Sequence, residues 1–385
     1  MKYGHFDNKY NESPKIEDEV IKVEIKGLVF TGNMKFEPAM VTFDKGIIEK
    51  VTPVSFDSLS DREKEQKIIP GLVDIHSHGC MGNDTCDSTA DGILKMAEFE
   101  RSVGVTSFFP TTMTLGGEKL TDVVNEVRKA AQKSDVIKGI YLEGPFISRE
   151  KCGAQNPKFI MKPDAGMIER LKAKSDGLVK FVAVAPEAEG AVECIEKEKD
   201  IVFSIAHTNA DYDTAMRAME KGAKHVTHFY NAMKPYNHRE PGVIGAAMDR
   251  NDVEIELIAD GVHVHPAVVR NTFKYFGPGR IILISDSMEA TGLSDGEYSL
   301  GGQKVFVKGK KATLEDGTIA GSASTLMDCV RTAIGMGVPE CEVIEAATKT
   351  PAKSAGIFDK VGSIEAGKRA DMVVLNSNYE IVRVV

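Results

Sequence analysis

Two histidines one residue apart, His76 and His78, follow an apolar, strand-like run within segment 70–79. Because side chains two positions apart in a strand point to the same face, both imidazoles would project together from the end of that strand. Imidazole nitrogens are common ligands of transition-metal ions, so the pair indicates a metal site. Taken alone, the same pattern fits two solvated or hydrogen-bonded histidines equally well.

The elements that would position these histidines are eight short apolar or β-branched runs, most of them separated by segments with helical periodicity. The predicted strands are 72–76, 105–111, 137–143, 179–185, 201–207, 225–228, 253–260 and 280–286. Strands that alternate with helices indicate a parallel sheet, and eight of them predict an α/β fold, a (β/α)8 barrel of the TIM type. Helices are predicted at 96–103, 120–131 and 215–222, with Gly104 and Gly222 at two of their ends.

Both ends of the chain have a different, β-rich pattern. Segments 20–30, 39–54 and 370–385 are strand-like and are interrupted by glycine and proline. The simplest arrangement is one small β-sandwich domain formed by residues 1–69 and 355–385, with the barrel domain at 70–354 inserted between them. A hairpin is also predicted at 303–314, after the last barrel strand.

Polar residues stand at the C-terminal ends of the predicted barrel strands, where this architecture places its active sites. They are His76 and His78 on the first strand, Glu143 on the third, His207 on the fifth, His228 on the sixth and Asp286 on the eighth. Each of them alone fits an ordinary hydrogen-bonded or ion-paired side chain. Together they form a nitrogen and oxygen ligand set that suits Zn²⁺, Fe²⁺ or a similar divalent ion.

Composition limits the remaining classes of function. The 385 residues carry a formal net charge of -9, which argues against a nucleic-acid or anionic-membrane surface. The polar stretch 1–20 has no apolar core for secretion, and no apolar run reaches membrane-spanning length. The six cysteines include no Cys-x-x-Cys pair, which fits reduced thiols. A cytoplasmic protein is therefore predicted.

The order of these residues, together with the segment 362–374 (Gly-Ser-Ile-Glu-Ala-Gly-Lys-Arg-Ala-Asp-Met-Val-Val), resembles the amidohydrolase superfamily. A narrower resemblance covers the chain from about residue 22 onward. It rests on Leu-Glu-Gly-Pro-Phe at 142–146, Thr-His-Phe-Tyr-Asn-Ala-Met at 227–233 and Arg-Glu-Pro-Gly at 239–242. It points to the deacetylase family that hydrolyses N-acetylglucosamine 6-phosphate to glucosamine 6-phosphate and acetate in amino-sugar catabolism or recycling.

The resemblance implies two positions for divalent metal ions, zinc or iron, that share one carboxylate. One position is held by His207, His228 and Glu143, and the other by His76, His78 and Asp286, with Glu143 able to bridge them. Some family members replace the two histidines of the first strand and keep one ion, so their presence here favours two. Asp286 is implied as the general base that takes a proton from water and passes it to the leaving amine.

Substrate-binding residues are implied around the barrel mouth. They are Ala154, Gln155, Asn231, Ala232, Arg239, Asp260, Gly261, His263, Ile319, Ala320 and Gly321. Gln155 would donate to the developing oxyanion, at a position where many relatives carry a histidine. Arg239 would bind the substrate phosphate from a neighbouring subunit, which implies a homodimer.

Two other interpretations stay open. An amidohydrolase acting on a cyclic amide or an N-acyl amino acid would keep the ligands but lack a phosphate pocket, and the Asn231-Ala232 pair and Arg239 argue against it. A non-catalytic, metal-bound barrel would not need a proton shuttle, and Asp286 argues against that alternative.

Overall fold

The structure, a computed structural model, describes residues 23–385. The first 22 residues, which include the polar stretch 1–20 and the start of the predicted segment 20–30, lie outside the described residues. The described chain begins with three antiparallel strands, β1 (Val23–Thr31), β2 (Lys35–Asp44) and β3 (Ile47–Pro53). A fourth strand, β4 (Lys67–Pro70), runs parallel to β1 and leads into the barrel.

An eight-stranded parallel barrel forms the centre of the molecule. It starts with β5 (Leu72–Ser77), which is followed by a short hairpin of β6 (Gly79–Cys80) and β7 (Asn83–Asp84). The other barrel strands are β8 (Val105–Thr112), β9 (Ile140–Phe146), β10 (Val179–Val184), β11 (Val202–Ile205), β12 (His225–Val226), β13 (Glu254–Ile258) and β14 (Ile281–Ile284). Their spatial order runs from β14 through β13, β12, β11, β10, β9 and β8 to β5. The predicted fold class is confirmed, and each predicted barrel strand overlaps an observed one.

The barrel closes between β14 and β5 through the residues that follow these two strands. The backbone N–H of Asp286 donates to the carbonyl of His76 at 3.0 Å, and that of His78 donates to the carbonyl of Ser287 at 2.8 Å. The hydroxyls of Ser77 and Ser287 hydrogen-bond at 2.7 Å. The seam of the barrel therefore passes through three of the predicted metal ligands.

A short helix, α1 (Asp61–Glu65), packs against β1 of the terminal strands. Longer helices surround the barrel and cover the outer faces of its strands. They are α2 (Ala90–Ser102), α3 (Gly117–Ala131), α4 (Ala165–Lys174), α5 (Ala191–Lys197), α6 (Tyr212–Lys221), α7 (Gly242–Asp249), α8 (Pro266–Phe276), α9 (Leu326–Gly335), α10 (Glu340–Ala347) and α11 (Lys349–Ser354). Gly104 and Gly222, just past α2 and α6, have φ angles of 93° and 132°, which glycine adopts without strain. Within residues 23–385, no helix has the length and apolar content needed to cross a membrane.

Two further sheets complete the fold. A four-stranded antiparallel sheet follows the barrel, built from β15 (Gly296–Leu300), β16 (Gln303–Lys308), β17 (Lys311–Thr313) and β18 (Ile319–Ser322). Its β16–β17 pair is the hairpin that the sequence predicts. The last strands, β19 (Met372–Leu375) and β20 (Ile381–Val384), join β4, β1, β2 and β3 in one six-stranded sheet. A separate β unit from both chain ends is thus confirmed, whereas the domain boundaries 1–69 with 355–385 and 70–354 stay a prediction.

Candidate metal centre and active site

Strand alternation brings two acidic side chains to the barrel mouth. Tyr141 on β9 fills the barrel interior, and Glu143 lies two positions further on the same face. Ile284 on β14 precedes Asp286 by the same interval. Both carboxylates are buried, with Glu143 2% and Asp286 7% exposed. The rings of Tyr141 and Phe181, whose centroids are 5.2 Å apart, fill the interior with apolar material.

Three of the candidate ligands have a left-handed backbone directly after their strands. The φ angles of His207, His228 and Asp286 are 44°, 27° and 48°. Non-glycine residues rarely adopt this region, and such positions persist only where the surrounding structure holds them in place. These sharp turns at the strand ends are a local feature shared by the candidate site residues.

The six predicted ligands form two groups, and within each group the ligand atoms lie within 4.8 Å of one another. The groups are Glu143, His207 and His228, and His76, His78 and Asp286. The Nε2 atoms of His207 and His228 lie 3.0 and 2.9 Å from Oε1 of Glu143. The same Oε1 lies 3.6 Å from Nε2 of His76, and Oε2 lies 3.2 Å from Nε2 of His78. Glu143 therefore lies between the two groups, where a bridging carboxylate would lie.

The hydrogen bonds of the imidazoles fit a divalent ion. Three Nδ1 atoms face acceptors: His76 to Glu256 Oε2 at 2.9 Å, His78 to the carbonyl of Thr111 at 3.2 Å and His207 to the carbonyl of Lys151 at 2.9 Å. An Nδ1–H that donates leaves Nε2 with the lone pair that binds a metal. Within residues 23–385, the buried Nε2 of His76 has no hydrogen-bond partner. Imidazole nitrogens and carboxylate oxygens suit zinc and iron.

Electrostatics keeps both carboxylates ionised. Burial alone would raise the pKa of Glu143, but His207 and His76 outweigh burial and hold that pKa well below its ordinary value. Burial would likewise raise the pKa of Asp286, and the hydrogen bond with His78 lowers the pKa below its ordinary value. Two carboxylates thus lie inside a barrel lined with apolar residues, and a cation bound between them would supply the positive charge on which these low pKa values depend.

A cavity of about 370 Å³ opens above the two groups. Predicted substrate-binding residues that line it are Ala154, Gln155, Asn231, Ala232, His263, Ile319 and Gly321. Asp260 lies behind this lining and accepts a hydrogen bond from Nδ1 of His263 at 2.8 Å. Ala320 lies between the lining residues Ile319 and Gly321, and Gly261 precedes His263 by two positions, but neither lines the cavity itself.

Gln155 is buried and already engaged by the protein. Its side-chain carbonyl accepts a hydrogen bond from the backbone N–H of Thr114 at 2.6 Å, and its amide donates to Oε2 of Glu143. These bonds orient Glu143, and the role of Gln155 as an oxyanion donor stays a prediction.

Arg239 is a predicted site residue that does not line the cavity within a single chain. It is exposed, its Nη1 is 2.9 Å from Nε2 of His238, and it lines a separate surface groove together with Asp211 and Glu240. A contact between Arg239 and a ligand in the cavity of a neighbouring subunit stays a prediction.

Several residues near the site were not predicted from the sequence, and two of them have charged side chains close to the ligands. Lys151 lines the cavity, and Glu256 contacts His76 from below. Glu256 stands in the apolar run 253–260, four positions before Asp260. Residues separated by an even number of positions in a strand point to the same face, so the sequence could have indicated that Glu256 faces the barrel interior. Lys151 lies in an irregular loop, and no periodicity there indicates its direction.

The barrel, its mouth and the paired ligand groups define a class of metal-dependent hydrolases. Residues 68–385 match the model of the amidohydrolase family, and the chain belongs to that family. It is therefore a hydrolytic enzyme of a metal-dependent family.

Particular relatives narrow the resemblance. The chain is similar to N-acetylglucosamine-6-phosphate deacetylase of Bacillus subtilis (strain 168), with 39% identity over 326 residues that cover 82% of this chain and 82% of that protein. It is also similar to N-acetylgalactosamine-6-phosphate deacetylase of Escherichia coli O157:H7, with 32% identity covering 88% and 91% of the two chains. A solved structure of a Mycobacterium smegmatis N-acetyl-D-glucosamine-6-phosphate deacetylase variant with N-acetyl-D-glucosamine-6-phosphate has a TM-score of 0.89 and 33% identity, covering 94% of this chain and 97% of that one. The predicted resemblance to these deacetylases is confirmed.

Proposed function

We propose that this chain hydrolyses the acetamide of N-acetyl-D-glucosamine 6-phosphate to D-glucosamine 6-phosphate and acetate, in the cytoplasm, as a step of amino-sugar catabolism or recycling. The observation that carries the proposal is the pair of ligand groups around Glu143 at the base of a cavity of about 370 Å³. Ligand cavities commonly measure about 300–1,000 Å³, so a sugar phosphate fits this one. The names of the most similar relatives support the choice of substrate.

The proposed cofactor is one or two divalent ions, zinc or iron. Glu143, His207 and His228 would hold the first, and His76, His78 and Asp286 would hold the second, with Glu143 lying between the two groups. When bound, such an ion polarises a carbonyl oxygen and brings the pKa of a coordinated water toward about 7.

Asp286 is the proposed proton carrier. Its Oδ1 lies 3.3 Å from Nε2 of His78, which leaves Oδ2 to take a proton from the attacking water. The same oxygen then gives that proton to the departing amine of the sugar, which leaves as a neutral amine rather than as an amide anion.

The proposed phosphate site is formed by backbone groups of Asn231 and Ala232 together with His263. All three residues line the cavity of one subunit. Arg239 is proposed to complete the site from the partner subunit of a homodimer, because a guanidinium matches the oxygens of a phosphate in a two-pronged contact.

A substrate assay tests the proposed function. Metal-loaded protein is expected to release acetate from N-acetylglucosamine 6-phosphate at least about 100-fold faster, in kcat/KM, than from unphosphorylated N-acetylglucosamine, because charged hydrogen bonds to phosphate contribute about 1.5–3 kcal/mol each. N-acetylgalactosamine 6-phosphate, which differs only at the C4 hydroxyl, is assayed in parallel. Equal rates with and without the phosphate contradict the phosphate site, and preferred release from a cyclic amide or an N-acyl amino acid supports the rival amidohydrolase activity. No release from any of them supports the non-catalytic barrel.

Mixing two impaired variants tests the contribution of Arg239. Arg239→Ala is expected to lower kcat/KM for the phosphorylated sugar by about 10–100-fold and to leave the slow reaction of the unphosphorylated sugar unchanged. In mixed dimers of Arg239→Ala with Asp286→Asn, one site per dimer has both residues intact if Arg239 reaches across. Activity should therefore return when the two variants are unfolded and refolded together. If no activity returns while mixed dimers are present, Arg239 does not act across an interface.

A further inference from the structure

Glu256 is a carboxylate enclosed within the barrel, on the interior face of β13. Its side chain is fully buried, and its strand neighbours Ile255, Leu257 and Ile258 are apolar. A carboxylate in such surroundings is costly unless specific partners compensate for its lost hydration. The contacts of Glu256 therefore indicate why an acidic residue occupies this position.

One oxygen atom of Glu256 contacts a residue from each ligand group. Oε2 lies 2.9 Å from Nδ1 of His76 and accepts a hydrogen bond from the backbone N–H of His228 at 3.1 Å. His76 belongs to the group with His78 and Asp286, whereas His228 belongs to the group with Glu143. Glu256 thus joins the two groups from beneath the barrel mouth.

The two contacts act on different properties of the ligands. The bond to His76 keeps the proton on Nδ1, so the lone pair of Nε2 faces Glu143 and Asp286, each with an oxygen 3.6 Å away. The bond to His228 holds the backbone N–H of a residue whose φ is 27°, in the left-handed region. One carboxylate therefore fixes a ring orientation in one group and a strained backbone in the other.

We propose that Glu256 is a positioning residue that couples the two metal positions, so that its loss weakens metal binding at both although it touches neither ion nor substrate. This inference rests on the proposed two-metal site and adds a residue that governs the affinity of that site for metal ions.

Cobalt titration of the Glu256→Gln variant tests the coupling, because glutamine keeps the shape of the side chain while removing its charge. Metal-free wild-type and variant proteins are titrated with Co²⁺ and followed by visible absorption and by bound equivalents. We expect the Co²⁺ affinity of the variant to fall about 10–100-fold for both equivalents, with an altered absorption spectrum, since partners of metal-binding histidines typically contribute that much. Glu256→Asp, which keeps the charge but shortens the side chain, is the second variant if glutamine prevents folding, and the same direction of change is expected.

The matched control is Glu100→Gln. Glu100 on α2 is also buried, at 1% exposure, and has no hydrogen bond to a ligand histidine. Its variant should bind Co²⁺ with wild-type affinity and spectrum, whereas an equal loss in both variants overturns the proposal because the change of any buried carboxyl group would then suffice. Unchanged affinity and spectrum in Glu256→Gln, beside a wild-type protein that binds two equivalents, also overturn the coupling while the proposed function stands. A wild-type protein that binds no Co²⁺ and releases no acetate contradicts the proposed function itself.

Discussion

Asp286→Asn is expected to lower kcat for acetate release by about 10²–10⁴-fold, the usual contribution of a positioned acid–base group. Asparagine keeps an oxygen at the position that faces His78 Nε2, 3.3 Å from Oδ1 of the aspartate, so bound metal should be retained. The amide cannot take the proton of water at neutral pH, and it cannot return one to the sugar amine. Steady-state kinetics and metal analysis on the same protein preparation measure both effects.

Asp252→Asn is the matched control for this variant. Asp252 precedes β13 at the opposite end of the barrel, where it pairs with Arg250 and Lys224. The control should keep wild-type kcat. A kcat near the wild-type value in Asp286→Asn, with full metal content, would show that another group carries the proton.

Glu143→Gln is expected to remove both metal equivalents and to reduce acetate release by about 10³-fold or more, as expected for loss of the principal electrostatic stabilisation. Four imidazole Nε2 atoms lie within 3.6 Å of the two carboxylate oxygens of Glu143. The amide nitrogen of glutamine has no lone pair available for a metal ion. It would also present a hydrogen-bond donor to one pair of imidazoles. Metal analysis after dialysis, with acetate release, measures the loss.

The double variant His76→Ala/His78→Ala gives the contrasting result. It removes ligands from one group only, so about one equivalent of metal per subunit should remain if two bind to the wild-type protein. Near-ultraviolet circular dichroism checks that both proteins remain folded. If Glu143→Gln retains two equivalents, Glu143 does not bridge the positions.

Periodicity was enough to predict the fold because its signals are local. A buried strand such as β14 is a continuous apolar run, and glycines such as Gly104 end helices for a backbone reason that is visible in the sequence. Strand limits were less accurate: 225–228 was predicted where β12 ends at Val226, because His228 already adopts a left-handed turn. The backbone N–H of His228 bonds there to Glu256, a partner that is distant in sequence.

The candidate site was predictable to the extent that barrel topology places strand ends together. That rule brings Glu143 and His207 to one mouth without knowledge of any side-chain contact. The rule does not predict side-chain contacts inside the barrel. His76 and Glu256 are 180 residues apart in sequence, and their hydrogen bond depends on the depth at which each side chain lies in the barrel. Nor does it reach loops, which explains why Lys151 was missed and why the bonds of Gln155 to Glu143 and Thr114 were not foreseen.

The seam between β14 and β5 has a consequence for assembly of the protein. Ser77 and Ser287, which meet there, are 210 residues apart in the chain. Bringing together residues so distant in sequence costs conformational entropy, so this contact is expected to form slowly during folding. His76 and His78 come from one side of the seam and Asp286 from the other. Before the barrel has closed between β14 and β5, only the group of Glu143, His207 and His228 is therefore assembled. A protein preparation with one ion per subunit would then indicate incomplete barrel closure as readily as a shortage of metal.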